Sequence, residues 1–161
     1  MSFPDVNPGP DVMQGQSLQA LRPERAPDFV IGPADDPYMQ RWWLIPRNDV
    51  FNVYYHRILH DDDDRALHDH PWPSFSVLVR GGLREITPEG PRELAEGDCV
   101  YRGPDAAHRL ELAGNGPAET LVITGPRVRD WCFHCPKGWV VWSDFVGENH
   151  GEVGRGCGEM S

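Results

Sequence analysis

Apolar and polar positions alternate in short runs through most of the chain, and glycine, proline and acidic residues break the runs at short intervals. Period-2 alternation with β-branched and aromatic residues predicts strands over residues 41–45, 51–59, 74–79, 83–87, 99–101, 108–112, 120–124 and 139–142. Gly81-Gly82 lies between two of them and reads as the turn of a hairpin. Many short strands at regular spacing predict an all-β sandwich or barrel. The ends read differently. Residues 1–37 are rich in Pro, Asp, Gln and Gly and are expected to form an irregular, draped arm; a short helical turn at 17–21 would be stopped by Pro23 and Pro27. Residues 38–147 form the barrel domain, and 148–161 a flexible Gly-rich tail. Gly154-Arg155-Gly156-Cys157-Gly158 resembles a nucleotide loop only superficially, since no strand–loop–helix pattern surrounds it.

Composition narrows the function classes. A chain of 161 residues fits one domain that can bury a core without disulfide staples. The formal charge is −10, and the basic residues are scattered, with only a small cluster at Arg127 and Arg129. Such a surface repels nucleic acid and anionic membrane. No run approaches the roughly 20 apolar residues of a membrane span, and Met1-Ser2-Phe3-Pro4-Asp5 lacks the features of a signal peptide. Cys99, Cys132, Cys135 and Cys157 are too scattered for a secreted disulfide framework. Buried, inert thiols in a reducing cytoplasm are the expectation.

The candidate chemistry lies in histidines. In His68-Asp69-His70-Pro71-Trp72, an extended backbone turns both imidazoles to one side. An isolated pair of this kind is more often two exposed histidines beside a turn. Further along, residues 97–108 read as turn, short strand, turn, and a histidine opening a new strand. His108 then shares a face with Leu110 and Leu112, while Arg109 and Glu111 take the other. A lone inward histidine is usually a hydrogen-bonded core residue; three on strands, two already paired, point to one divalent metal ion. Asp69 should face away and could hold a neighbouring loop. His56, Tyr54, Arg84 and Tyr101 are candidate cavity-lining residues.

These blocks resemble the cupin superfamily, whose first motif is Gly-x5-His-x-His-x3–4-Glu-x6-Gly and whose second is Gly-x5-Pro-x-Gly-x2-His-x3-Asn. His68 and His70 match the first motif, with Gly81 or Gly82 as its closing glycine. Gly97 opens the second motif, Gly103 takes the place of its proline, and His108 falls at its histidine. The motif glutamate would fall at Ser74 or Phe75, and Asp105 and Leu112 stand where glycine and asparagine are usual. The likeness covers roughly residues 50–146. It implies a double-stranded β-helix, a jelly-roll barrel, with His68, His70 and His108 as metal ligands. It also implies a possible homodimer, since cupins often pair through sheet edges or swapped arms. The histidine block, Thr124-Gly125-Pro126-Arg127 and residues 133–139 are further similar to a group of small bacterial and phage cupin-like proteins.

Three neutral imidazoles leave the ion's charge uncompensated and coordination positions open. Imidazole suits Fe, Zn, Cu and Ni, and Mn is a further option. The absent glutamate resembles the site of the cupin thiol dioxygenases. The expectation is therefore an Fe(II)-dependent, dioxygenase-like enzyme acting on a small anionic or chelating metabolite. The alternatives are a non-catalytic ligand-binding or regulatory module, and a Zn-dependent lyase, isomerase or hydrolase. Three other features have bland readings. Asp61-Asp62-Asp63-Asp64 lacks the glycine and glutamate of a calcium loop and reads as a solvated acidic turn. Cys132, His134 and Cys135 have metal-like spacing, but Cys157 would be the only fourth ligand. Trp131, Trp139 and Trp142 could cap the barrel mouth or pack a dimer interface.

Overall fold

The computed structural model describes residues 18–62, 65–146 and 154–158. After a 3-10 turn at Leu18–Leu21 come β1 (Phe29–Ile31), β2 (Met39–Trp43), β3 (Asn52–Ile58), β4 (Leu67–His68), β5 (Ser74–Arg80) and β6 (Leu83–Thr87). Then follow β7 (Gly90–Leu94), β8 (Cys99–Arg102), β9 (Arg109–Leu112), β10 (Ala118–Thr124), β11 (Cys132–Cys135), β12 (Gly138–Val141) and a one-turn helix, α1 (Trp142–Phe145).

One layer is an antiparallel sheet in the order β1-β2-β3-β10-β5-β8. The other combines β7-β6-β9 with β12-β11-β4, joined by an antiparallel bridge between His68 and His108. Between the layers, Met39, Ile58, Leu78 and Ala118 pack on Leu83, with Leu94, Leu110 and Leu112 behind it. Each of the larger side chains contributes roughly 1.5–3 kcal/mol when fully buried. The glycines at the ends of the β5 and β8 region are demanded locally. Gly81 has φ +82°, and a Cβ there would lie 2.8 Å from the Pro117 carbonyl oxygen. Gly97 has φ +94°, which also favours glycine.

The predicted strands all form, with shifted ends. Four short strands were not anticipated. β4 has only two residues, β7 is a polar hairpin edge that admits Pro91, and β11 is a four-residue strand whose burial does not alternate. The fourth, β1, lies in the stretch expected to be irregular, where Phe29–Ile31 pairs with β2 as an edge strand. Residues 1–17 lie outside the described residues, while residues 22–25 run alongside β2 and β10. Trp42 Nε1 donates to the Arg25 carbonyl (2.8 Å), and Arg22 pairs with Glu119, which also accepts from Tyr55 Oη. Trp42, Tyr55 and Val79 thereby form a second apolar cluster.

A third cluster of Ala66, Phe133 and Phe145 packs at one end of the barrel with Trp131 and Trp142. Here the cysteine expectation is corrected. Cys135 and Cys157 form a disulfide, while Cys132 is a buried free thiol and Cys99 an exposed one. Cys157, weighed above only as a fourth metal ligand, instead brings the tail back to β11 as a disulfide partner. The bridge, with the Gly156 amide donating to the Phe145 carbonyl (2.9 Å) and Arg65 to the Gly154 carbonyl (3.1 Å), holds residues 154–158 against the barrel. Tail positions 148–153 and 159–161 lie outside the described residues. A reducing cytoplasm would tend to open such a bridge. Replacing Cys157 with serine is expected to lower stability by about 2 kcal/mol, the low end for a loop of this size. The fall in urea midpoint between the oxidised parent and Cys157→Ser measures it.

Candidate metal centre

The site is built from backbone pairing. The His68 amide donates to the His108 carbonyl and the His108 amide to the His68 carbonyl, both at 2.8 Å. Two residues paired in this way project side chains to the same face. His70 follows His68 by two residues and joins that face. Ring centroids are 5.1 Å apart for His68–His70, 4.9 Å for His68–His108 and 5.1 Å for His70–His108. One ligand atom from each lies within 4.8 Å of the others, and the Nε2 atoms of His70 and His108 are 3.0 Å apart. Two nitrogens each about 2.1 Å from an ion, at right angles, stand roughly 3.0 Å apart.

His108 Nδ1 lies 2.6 Å from Glu85 Oε1. A carboxylate accepts and cannot donate, so in the neutral ring Nδ1 carries the proton and Nε2 is the lone pair. That lone pair is open to a proton from His70 or to a cation. Burial, which penalises the imidazolium, brings His68 down to about 4, although Asp62 pulls the other way. The same burial holds His70 well below the ordinary range, and His108, His68, Arg102 and Arg41 add to the effect. The donor set is thus three imidazoles of which two are held neutral and the third is tautomerically fixed, which suits a divalent cation.

Glu85 is the residue that the sequence pattern missed. It is 1% exposed and sits on β6 beside Leu83 on the inward face. Burial would raise its carboxyl, but the His108 and Arg102 contacts outweigh that and hold it at about 2. Arg102 Nε donates to Glu85 Oε1 at 2.6 Å and its Nη1 to Ser76 Oγ at 2.7 Å. Arg92 reaches Glu85 Oε2 at 2.5 Å from a half-exposed position. A carboxylate on the far nitrogen of a metal-facing histidine is the usual outer partner of a ligand. It is not at the motif position but one strand later. The signal was the pairing of Leu83 with Glu85 after the Gly81-Gly82 turn.

The same alternation corrects two expectations. Arg84 points outward, 47% exposed, toward Glu93 and Glu111, and Tyr101 is 69% exposed on the outer face of β8. Neither lines the cavity. Tyr54 and His56 do; their rings stack at 5.8 Å. His56 Nε2 accepts from Arg41 Nε at 2.8 Å.

Asp69 faces away from the three rings, as anticipated. Fully buried, it accepts from the Cys132 amide (2.8 Å), meets His134 Nε2 at 3.0 Å and lies 3.2 Å from Arg129. It therefore tethers β11 behind the site. His134 and the disulfide of Cys135 with Cys157 leave no zinc set there. The acidic turn is also more than solvated. Asp62 accepts from the Leu110 amide and the Tyr38 hydroxyl, and Asp61 from the Leu112 amide. These carboxylates pin the start of β9 and set Asp62 4.0 Å from His68 Nδ1. Positions 63 and 64 lie outside the described residues.

Two chambers meet at the histidines: all three line the inner one, and His68 and His70 also line the outer one. The inner one, about 100 Å³, runs into the barrel past His56, Ser76, Arg102 and Thr120. The outer one, about 420 Å³, is walled by Phe29, Trp72, Trp131, Phe133 and Trp142. Trp131 and Trp142 stack in parallel at 5.8 Å and wall the mouth. Trp139 stands apart on the surface under the Arg129 guanidinium. No helix among the described residues is long and apolar enough to cross a membrane.

No protein-family model matches the sequence, and no curated protein matches it. Solved structures do resemble the fold. The polyketide cyclase RemF from Streptomyces resistomycificus aligns with TM-score 0.53 at 16% identity, over 78% of this chain and 82% of RemF. The Fe(II) form of HppE aligns with TM-score 0.53 at 18% identity, over 64% of this chain and 58% of HppE, so the match spans less than two thirds of that protein. A cupin 2 conserved barrel domain protein from Rhodopseudomonas palustris aligns at 16% identity with TM-score 0.49, over 66% of this chain and 71% of the other. At such identities the common element is architecture. With its two antiparallel layers and its histidines meeting across the β4–β9 bridge, the chain has the cupin fold.

Proposed function

We propose that His68, His70 and His108 hold one divalent metal ion, and that the protein is a metal-dependent enzyme acting on a small anionic or chelating metabolite. The observation that carries this reading is the convergence of the three imidazoles, with His108 fixed by the Glu85 carboxylate. Fe(II) is the proposed metal, and when bound it would supply open positions for a chelating substrate and for dioxygen chemistry. Glu85 orients His108 and Arg102 holds Glu85, so the geometry is set before any ion arrives. Burial keeps His68 and His70 neutral and ready to ligate. The aromatic walls of the outer chamber offer an apolar surface beside the face of the site that a substrate approaches.

Elemental analysis of protein purified without added metal, followed by oxygen-uptake measurements on Fe(II)-loaded protein with chelating acids, tests the reading. About one iron per chain and oxygen uptake with at least one such acid are expected. Tightly held zinc without oxygen uptake would overturn the dioxygenase-like reading in favour of a zinc lyase, isomerase or hydrolase. Absence of any stoichiometric metal would leave a non-catalytic ligand-binding module.

A further inference from the structure

Arg41 is a cation in the wrong place for a purely structural role. It lies on β2, paired with His56 of β3, and lines both chambers beside His70. Its guanidinium sits 5.1 Å from the centre of the Tyr54 ring, and Nε–H donates to His56 Nε2. No carboxylate among the described residues lies within 4.0 Å of it. The nearby acids are engaged elsewhere: Asp62 by Tyr38, the Leu110 amide and the His68 side, and Asp61 by the Leu112 amide. The contrast with Arg102 is direct, because that buried guanidinium is neutralised by Glu85. Arg41 is partly buried and held in one orientation by ring and imidazole, and its two terminal nitrogens have no acceptor among the described residues. A planar fork of that kind matches a carboxylate.

We propose that Arg41 is the anion-binding residue of this cavity and that the ligand is a small aryl carboxylate. Its acid group sits on the Arg41 fork, and its ring lies in the outer chamber against Trp72, Trp131 and Phe133. The assignment rests on the metal-centre reading only for the third contact, a chelating group directed at the three histidines. A carboxylate is favoured over a phosphate because a single fork faces the cavity while Asp61 and Asp62 share the outer chamber with its apolar and aromatic walls, and these acids repel a doubly charged group more than a singly charged one.

Phenylacetate and phenylacetamide separate the acid group from the ring. Each is titrated into metal-free and metal-loaded protein, with quenching of tryptophan fluorescence as the readout. The acid is expected to bind about 10- to 100-fold more tightly than the amide in both states. Arg41→Gln should bring that ratio close to one, with the acid losing far more affinity than the amide, and Arg41→Lys should keep part of it. A ratio near one in the parent protein, the same ratio in Arg41→Gln, or no acid binding at millimolar concentration would overturn the proposal. Should Arg41→Gln fail to fold, the parent ratio and Arg41→Lys decide. Phenyl phosphate serves as a third probe; tighter binding than the acid would also overturn it. Failure of the metal reading shows separately, as absent metal with the acid-to-amide ratio intact.

Discussion

Replacing His108 with alanine is expected to abolish stoichiometric metal retention while the protein stays folded. Losing a ligand should weaken the site by more than the roughly 10- to 100-fold that removal of an outer partner costs. His108 contributes the nitrogen nearest to His70 (3.0 Å), and its backbone pairing with His68 does not depend on the ring. Glu85 keeps Arg102 in the variant, so no buried cation is stranded. His134→Ala is the matched control, because that imidazole meets Asp69 on the other side of the strand. Metal content after dialysis, measured on all three proteins, gives the answer. Full occupancy in His108→Ala would show that the rings converge without sharing an ion.

The second large effect is expected at Glu85. Alanine there strands Arg102, whose side chain is 9% exposed, and removes the partner of His108 Nδ1. Breaking a buried ion pair by deleting one member costs about 3–5 kcal/mol. Arg92 adds little, since it is half-exposed and screened. Urea unfolding should therefore show Glu85→Ala far less stable than the parent. Glu85→Ala combined with Arg102→Leu should recover much of the loss, because neither charge is left buried alone. In metal titrations Glu85→Gln should lose about 10- to 100-fold in affinity, with His108 no longer held in one tautomer. An unchanged unfolding midpoint in Glu85→Ala would mean that the network carries no net stability.

Much of the barrel was legible because half-buried strands repeat with period 2. His68 and His70 were legible for the same reason, since spacing by two on an extended chain is a local geometric fact. The inward face of β9 followed from His108, Leu110 and Leu112. On β6 the pattern misled, because Leu83 and Ile86 are apolar at odd spacing and leave the inward parity undetermined. Arg84 was a candidate for the cavity lining and Glu85 was not considered, whereas Glu85 is the buried one and Arg84 the exposed one. Tyr101 was misplaced for a related reason: on a four-residue strand, buried Val100 and Arg102 fix the face, and a buried arginine does not read as inward. Arg41 escaped notice because its meaning depends on which acids surround it.

The sequence alone determined the elements: short alternating strands, glycine turns, an acidic surface, and three histidines on inward positions. These are local properties, carried by residues a few positions apart. Tertiary structure decided what they meet. The His68–His108 bridge, the Glu85 carboxylate on His108, the return of Cys157 to Cys135 and the seating of the Arg41 guanidinium on His56 and Tyr54 all join residues far apart in the chain. Burial gives these long-range contacts their energies, because a charge or an imidazole acquires its protonation state and its partner only after the barrel has removed it from water.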